Sequence, residues 1–290
     1  MFLKLVKHEF RSSRKVMLIM IAVTLAMCVI NFLMPMTFEQ MPSTANNVQQ
    51  GVMISMIMFW VFTYIVVIIG ISITAYIFTA IRFYKSMFTH QGYLTHSLPV
   101  SRHALIWSKV LVSFFWLTVL GILLGTTVFA LIFGVVTQAV PTMVLDMIKS
   151  GIGEVLSMFT MEIILFIVSS LMTTLGFILC IYACMALGQR FHNKILASIL
   201  IFGGFILCYG LINSIGTVMI QQIAAGQIND YILSNNFNPY SARSIGMSLS
   251  GGFSFLFSTQ SIFGIVMSTI WGGCAYLILS ATTKKHLNLD

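Results

Sequence analysis

The groups in this 290-residue chain able to do chemistry are six histidines, five cysteines and seven acidic residues. Their spacing builds no reaction centre. His90, His96 and His103 form the densest histidine group, but they stand six and seven residues apart. A metal-binding helix places two ligands at i and i+4 on one face, and this spacing does not. Cys28, Cys180, Cys184, Cys208 and Cys274 all fall inside apolar runs and read as small packing residues. There is no His-Glu-x-x-His, no Gly-x-Ser-x-Gly elbow and no Gly-x4-Gly-Lys-[Ser/Thr] phosphate loop. The chain is therefore expected to carry no catalytic residue, metal or cofactor, and not to hydrolyse ATP by the phosphate-loop route. One acid, Glu162, interrupts an apolar run. Acids inside membrane spans are functional candidates by default. Glu162 also sits about two turns from the end of its run, a position from which a side chain snorkels to the interface. No second acid lies near it, so neither a proton relay nor a carboxylate pair is indicated.

The elements that hold these residues follow from composition. The chain is 58% hydrophobic and 8% charged, with a mean hydropathy of +0.98. A soluble domain carries about 25% charged residues, so this chain has too little polar surface to face water. Six apolar runs, at 16–36, 53–82, 104–136, 156–188, 196–223 and 261–283, reach the about 20 residues that a spanning helix needs. None alternates as a barrel strand would. The expected fold is an all-α integral membrane protein, one transmembrane domain over residues 1–290. The first run is too long for a signal-peptide core of about 7–15 residues and is kept as a span. Thirteen of the fifteen Lys and Arg residues fall on one side of these spans; only Lys149 and Arg243 fall on the other. The positive-inside rule makes the basic side, with both termini, cytoplasmic. The net charge of +8 sits at the ends of apolar runs rather than on a patch, which argues against nucleic acid as a partner.

The polar segments differ in character. Residues 1–15 place Phe2, Leu3, Val6 and Phe10 on one helical face with Lys4, Lys7, Arg11 and Lys15 around it. This pattern predicts an amphipathic helix lying along the inner leaflet, its bases near anionic lipid. Residues 37–52 read as a solvated external connection, and 137–155 as an external segment with a short surface helix. Residues 224–260 form the largest external segment; its later part, Ser248–Gln260, either dips back into the membrane or stays an external loop. Residues 53–82 would make a helix about 45 Å long against a core about 30 Å thick. Tilt absorbs part of the excess, and the rest lifts the following loop off the lipid. The 20 Met and 24 Phe residues suit lipid-facing and packing roles or the lining of an apolar path. Gly203, Gly204, Gly272 and Gly273 permit close helix approach.

The most polar interruption, residues 82–109, carries Arg82, Lys85, Arg102 and Lys109 and three of the six histidines. Pro99 cannot continue a helix and biases Leu98 away from helical backbone. A new helix can then start behind Ser101 as its cap. The stretch Gly92–Lys109, GYLTHSLPVSRHALIWSK, resembles the cytoplasmic coupling segment of ABC-type exporter permeases of Gram-positive bacteria, which carry Gly-Tyr-Leu, Leu-Pro-Val and then Lys at similar spacing. The N-terminal KHEFRSSRKV and the C-terminal KKHLNLD are similar to the two ends of those permeases. The resemblance implies six spans with both ends inside and a coupling helix within residues 83–103. It implies a pair of permeases on two separate ATP-binding cassette subunits, which hold ATP and Mg. The implied cargo is hydrophobic or amphipathic peptides of the toxin or antimicrobial class, and some members confer self-protection. Carried onto this chain, Gly92, Tyr93, Leu94, Leu98, Pro99 and Arg102 form the main contact with the ATPase. Gln189, Arg190 and Phe191, between the fourth and fifth spans, form a second, smaller contact. The competing expectation is a stand-alone channel or ion-coupled carrier. That would need polar or charged rings along a pore, for which only Glu162 is available.

Overall fold

The computed structural model describes residues 2–38, 47–89, 101–139, 160–234 and 242–285, and these form six helices. They are α1 (Phe2–Phe38), α2 (Asn47–Phe88), α3 (Arg102–Ala139), α4 (Thr160–Gly188), α5 (Lys194–Ser234) and α6 (Ala242–Lys285). Each contains a stretch long and apolar enough to cross a membrane. Their outward faces are apolar as well: Ile199, Leu200, Leu207, Leu211 and Ile215 of α5 are each more than 60% exposed. Water penalises such a surface and hydrocarbon does not. Hydroxyls inside the helices donate to their own backbone, as Thr24 does to Met20 O and Thr79 to Ala75 O, at 2.8 and 2.9 Å. Those bonds satisfy groups that lipid cannot. The chain thus has the make-up of a multi-pass membrane protein.

Four helices run on well beyond their apolar stretches. α1 is one helix of 37 residues with no break near Lys15. From Phe2 onward the residues expected to form a surface helix are the first turns of α1, continuous with its apolar stretch. The reason is local, since Ser12-Ser13-Arg14-Lys15 contains neither Gly nor Pro to stop propagation. Likewise α2 extends six residues past Arg82 to Phe88. The segment 224–260, expected to be external, is helical where described: α5 continues to Ser234 and α6 starts at Ala242. Its strongest breaker, Pro239, falls in the short stretch between them. The surface helix expected within 137–155 lies mostly outside the described residues.

The helices fall into two compact units, residues 1–150 and 151–290. In the first, α1 packs chiefly on α3, with α2 touching both lightly. Val6, Phe10, Met17, Val112 and Trp116 make the seam. Phe10 stacks on Trp116 with ring centroids 4.8 Å apart. Farther along, the Trp60 indole donates to Asn31 Oδ1 at 3.3 Å, tying α2 to α1. In the second unit α4 packs most closely on α6, and α5 lies against both. Gly176 and Gly272 are where that closeness is reached: a Cβ on Gly272 would stand 3.3 Å from Gly176 Cα. Of the four glycines expected to mark close approach, Gly203, Gly204 and Gly273 face open space, and Gly272 alone meets a neighbouring helix. The C-terminal half of α4 is enclosed, with Ile178 through Cys184 buried without interruption.

Candidate functional site

The 89–101 segment leaves α2 at its C-terminus and returns at the N-terminus of α3. Its two stems are joined by a third element that the charge pattern alone does not reveal. Glu9, on the first turns of α1, receives a hydrogen bond from Arg82 of α2 at 2.7 Å on Oε2 and one from Lys109 of α3 at 2.5 Å on Oε1. Arg82 Nη2 also donates to the Glu9 backbone carbonyl. The three side chains are 14%, 17% and 4% exposed, in the order Glu9, Arg82, Lys109. One carboxylate therefore serves two cations drawn from the two stems, and the group keeps one excess positive charge. Charge-assisted bonds of this length are among the stronger polar contacts available to a protein. Glu9 faces inward because it shares a face with Ser13 and Met17, each four residues on, and both are buried. The Phe10–Trp116 stack lies next to it and holds the same level of α1 against α3.

The stem of α3 starts as its sequence predicts. Ser101 caps the helix: its side chain accepts from Ala104 N at 3.4 Å, and its carbonyl accepts from Leu105 N at 3.2 Å. Arg102 is the first residue of α3. Gly92, Tyr93, Leu94, Leu98 and Pro99 lie outside the described residues. The second expected contact is an exposed turn. Arg190 N bonds to Leu187 O and Phe191 N to Gly188 O, at 3.1 and 3.2 Å. Arg190 is exposed, Phe191 is 54% exposed, and Gln189 donates back to Met185 O at 3.3 Å. Gly188 makes this turn possible. A Cβ there would overlap Ser198 Oγ and lie 2.8 Å from the Lys194 carbonyl oxygen. Gly188→Ala is expected to cost about 1–3 kcal/mol, read as a lower thermal midpoint in detergent. Adding Ser198→Ala should recover only part of it, because the carbonyl cannot give way.

Glu162 stands in the first turn of α4, half-buried, and its Oε2 has no hydrogen-bond partner among the described residues. An acid at this end of a helix is favoured by the helix dipole. Nothing else that titrates accompanies it in that turn. Among the described residues no three His, Cys, Asp or Glu side chains gather as a metal site. A small recess in the second unit is lined by Phe177, Phe205, Tyr209, Trp271 and Ser268, with the Phe205 and Trp271 rings 5.3 Å apart. It has room for little more than one water-sized guest. No family model, no curated protein and no solved structure matches this chain.

Proposed function

We propose that this chain is the permease subunit of an ABC-type exporter in a bacterial plasma membrane. Its cargo is a hydrophobic or amphipathic peptide of the toxin or antimicrobial class. Two copies, or this chain and a related permease, pair within the membrane. Two separate ATP-binding cassette subunits dock on the cytoplasmic side and carry the ATP, the Mg and the hydrolysis. Both termini, the 89–101 segment and the 188–194 turn face that side, as the charge bias requires. ATP-driven closure of the partner pushes the stems of the 89–101 segment, and the spans rock between inward and outward states.

The observation that carries this reading is the braced pair of stems beneath the Gly92–Lys109 stretch whose sequence resembles a coupling segment. A connecting loop needs no buried ion-pair brace at its foot. A loop that receives force needs one, because a push on a loose loop is lost in bending. The reading is tested at its contact. Leu98→Asp is expected to leave insertion intact while lowering ATP-dependent transport at least tenfold and weakening co-purification with the neighbouring ATPase. Normal transport with an intact complex would sink it, and so would transport by the purified chain alone.

A further inference from the structure

We propose that Glu9 is a positioning residue: by pairing with Arg82 and Lys109 together it sets the width of the mouth from which the 89–101 segment emerges. Chain length alone does not set that width. From Thr89 to Ser101 is twelve residue steps, which can span about 40 Å when extended. Nor do the stems hold each other, since α2 touches α3 only lightly. Each is tied instead to α1, but unequally. α3 is held by the Phe10–Trp116 stack and the Val6–Val112 seam in addition to Lys109. At the level of Glu9, the Glu9–Arg82 bonds tie α2 to α1, and Phe83 and Met87 are buried there as well. α2, which packs on α1 far more lightly than α3 does, is the stem that moves when the ion pair is lost. Taking the charge from Glu9 does more than remove two bonds, because it leaves Arg82 and Lys109, two like charges, facing each other across the gap. The first turns of α1 then belong to the coupling apparatus rather than to a membrane anchor.

This inference rests on the proposed function only for the purpose of the mouth. Its geometry is tested on the full chain alone, in lipid nanodiscs, with no partner present. Spin labels go in pairs at the exposed positions 11, 85 and 103 of a cysteine-free background, and distances are read by pulsed electron resonance. In Glu9→Gln the 85–103 and 11–85 distances are expected to lengthen by about 5 Å or more and to broaden, while 11–103 stays as it was. Glu9→Gln with Lys109→Met should bring 85–103 back toward its original value, since the opposing charge is gone. A side chain that only filled space would show no such rescue. An unchanged 85–103 distance, an equal change in 11–103, or a double variant as wide as the single would each overturn the proposal. Failure to find an ATPase partner would leave these distances untouched, so the two readings can fail separately.

Discussion

Glu9→Leu is expected to be the most damaging single change at the ion-pair cluster, lowering stability by about 3 kcal/mol. Lys109→Leu should cost clearly less, although Lys109 is the more buried of the two at 4% exposed against 14%. The order follows from what each change strands. Removing Lys109 leaves Glu9 paired with Arg82 at 2.7 Å. Removing Glu9 leaves two cations that had shared one carboxylate and so lie no more than roughly 7 Å apart. At that distance, with an effective dielectric of about 20, their repulsion alone is worth about 2 kcal/mol. Taking away the second cation relieves it, so Glu9→Leu with Lys109→Leu should be more stable than Glu9→Leu. Unfolding followed by tryptophan fluorescence suits the test, since Trp60, Trp107 and Trp116 all lie in the first unit and only Trp271 in the second. A loss of about 3 kcal/mol corresponds to a midpoint lower by about 6–12 °C. Equal losses from Glu9→Leu and Lys109→Leu would mean that the shared-carboxylate account is wrong.

That cluster also marks where sequence reasoning stops. Arg82 and Lys109 are conspicuous in the sequence as loop-bounding cations. Their common partner is 73 and 100 residues away, and no local pattern links them. A signal for Glu9 did exist. It is a lone acid among five cations, placed four residues before Ser13 and eight before Met17, on the face that α1 buries. Counting charge for topology sets that signal aside, because the positive-inside rule weighs Lys and Arg and gives acids little account. The six spans were legible because lipid demands about 20 apolar residues in a row, and little else in a sequence produces such runs. Helix ends were not. Hydropathy marks the part of a helix that sits in lipid, whereas the hydrogen-bond ladder runs on until a breaker stops it. Lys85 and Ser86 are no such breaker, and α2 passes through them to Phe88. The glycines teach the same lesson at finer scale. Composition suggests that Gly272 and Gly273 are equivalent, yet neighbours on a helix point about 100° apart, and only one of them can face α4.

Gly272→Leu is the second large effect expected, a loss of about 3 kcal/mol at the joint of α4 and α6. Even a bare Cβ at Gly272 would stand 3.3 Å from Gly176 Cα and 3.6 Å from Leu179 Cδ1. The first of these is backbone and cannot rotate aside. Alanine needs a shift of a few tenths of an ångström and gains up to about 1 kcal/mol of helix propensity over glycine, so Gly272→Ala should be close to neutral. Leucine adds three carbons to the same gap, and α4 and α6 must part to admit them. In a membrane that parting is costly, because lipid tails offer no hydrophobic penalty to drive the helices back together and close contact is what holds them. Gly273→Leu provides the control one residue away: nothing lies within 4 Å of its Cβ, and the change should be neutral or slightly stabilising. Thermal unfolding of the three variants separates a packing cost from an effect of removing glycine. A Gly273→Leu loss as large as that of Gly272→Leu would assign the cost to the helix itself and not to its contact with α4.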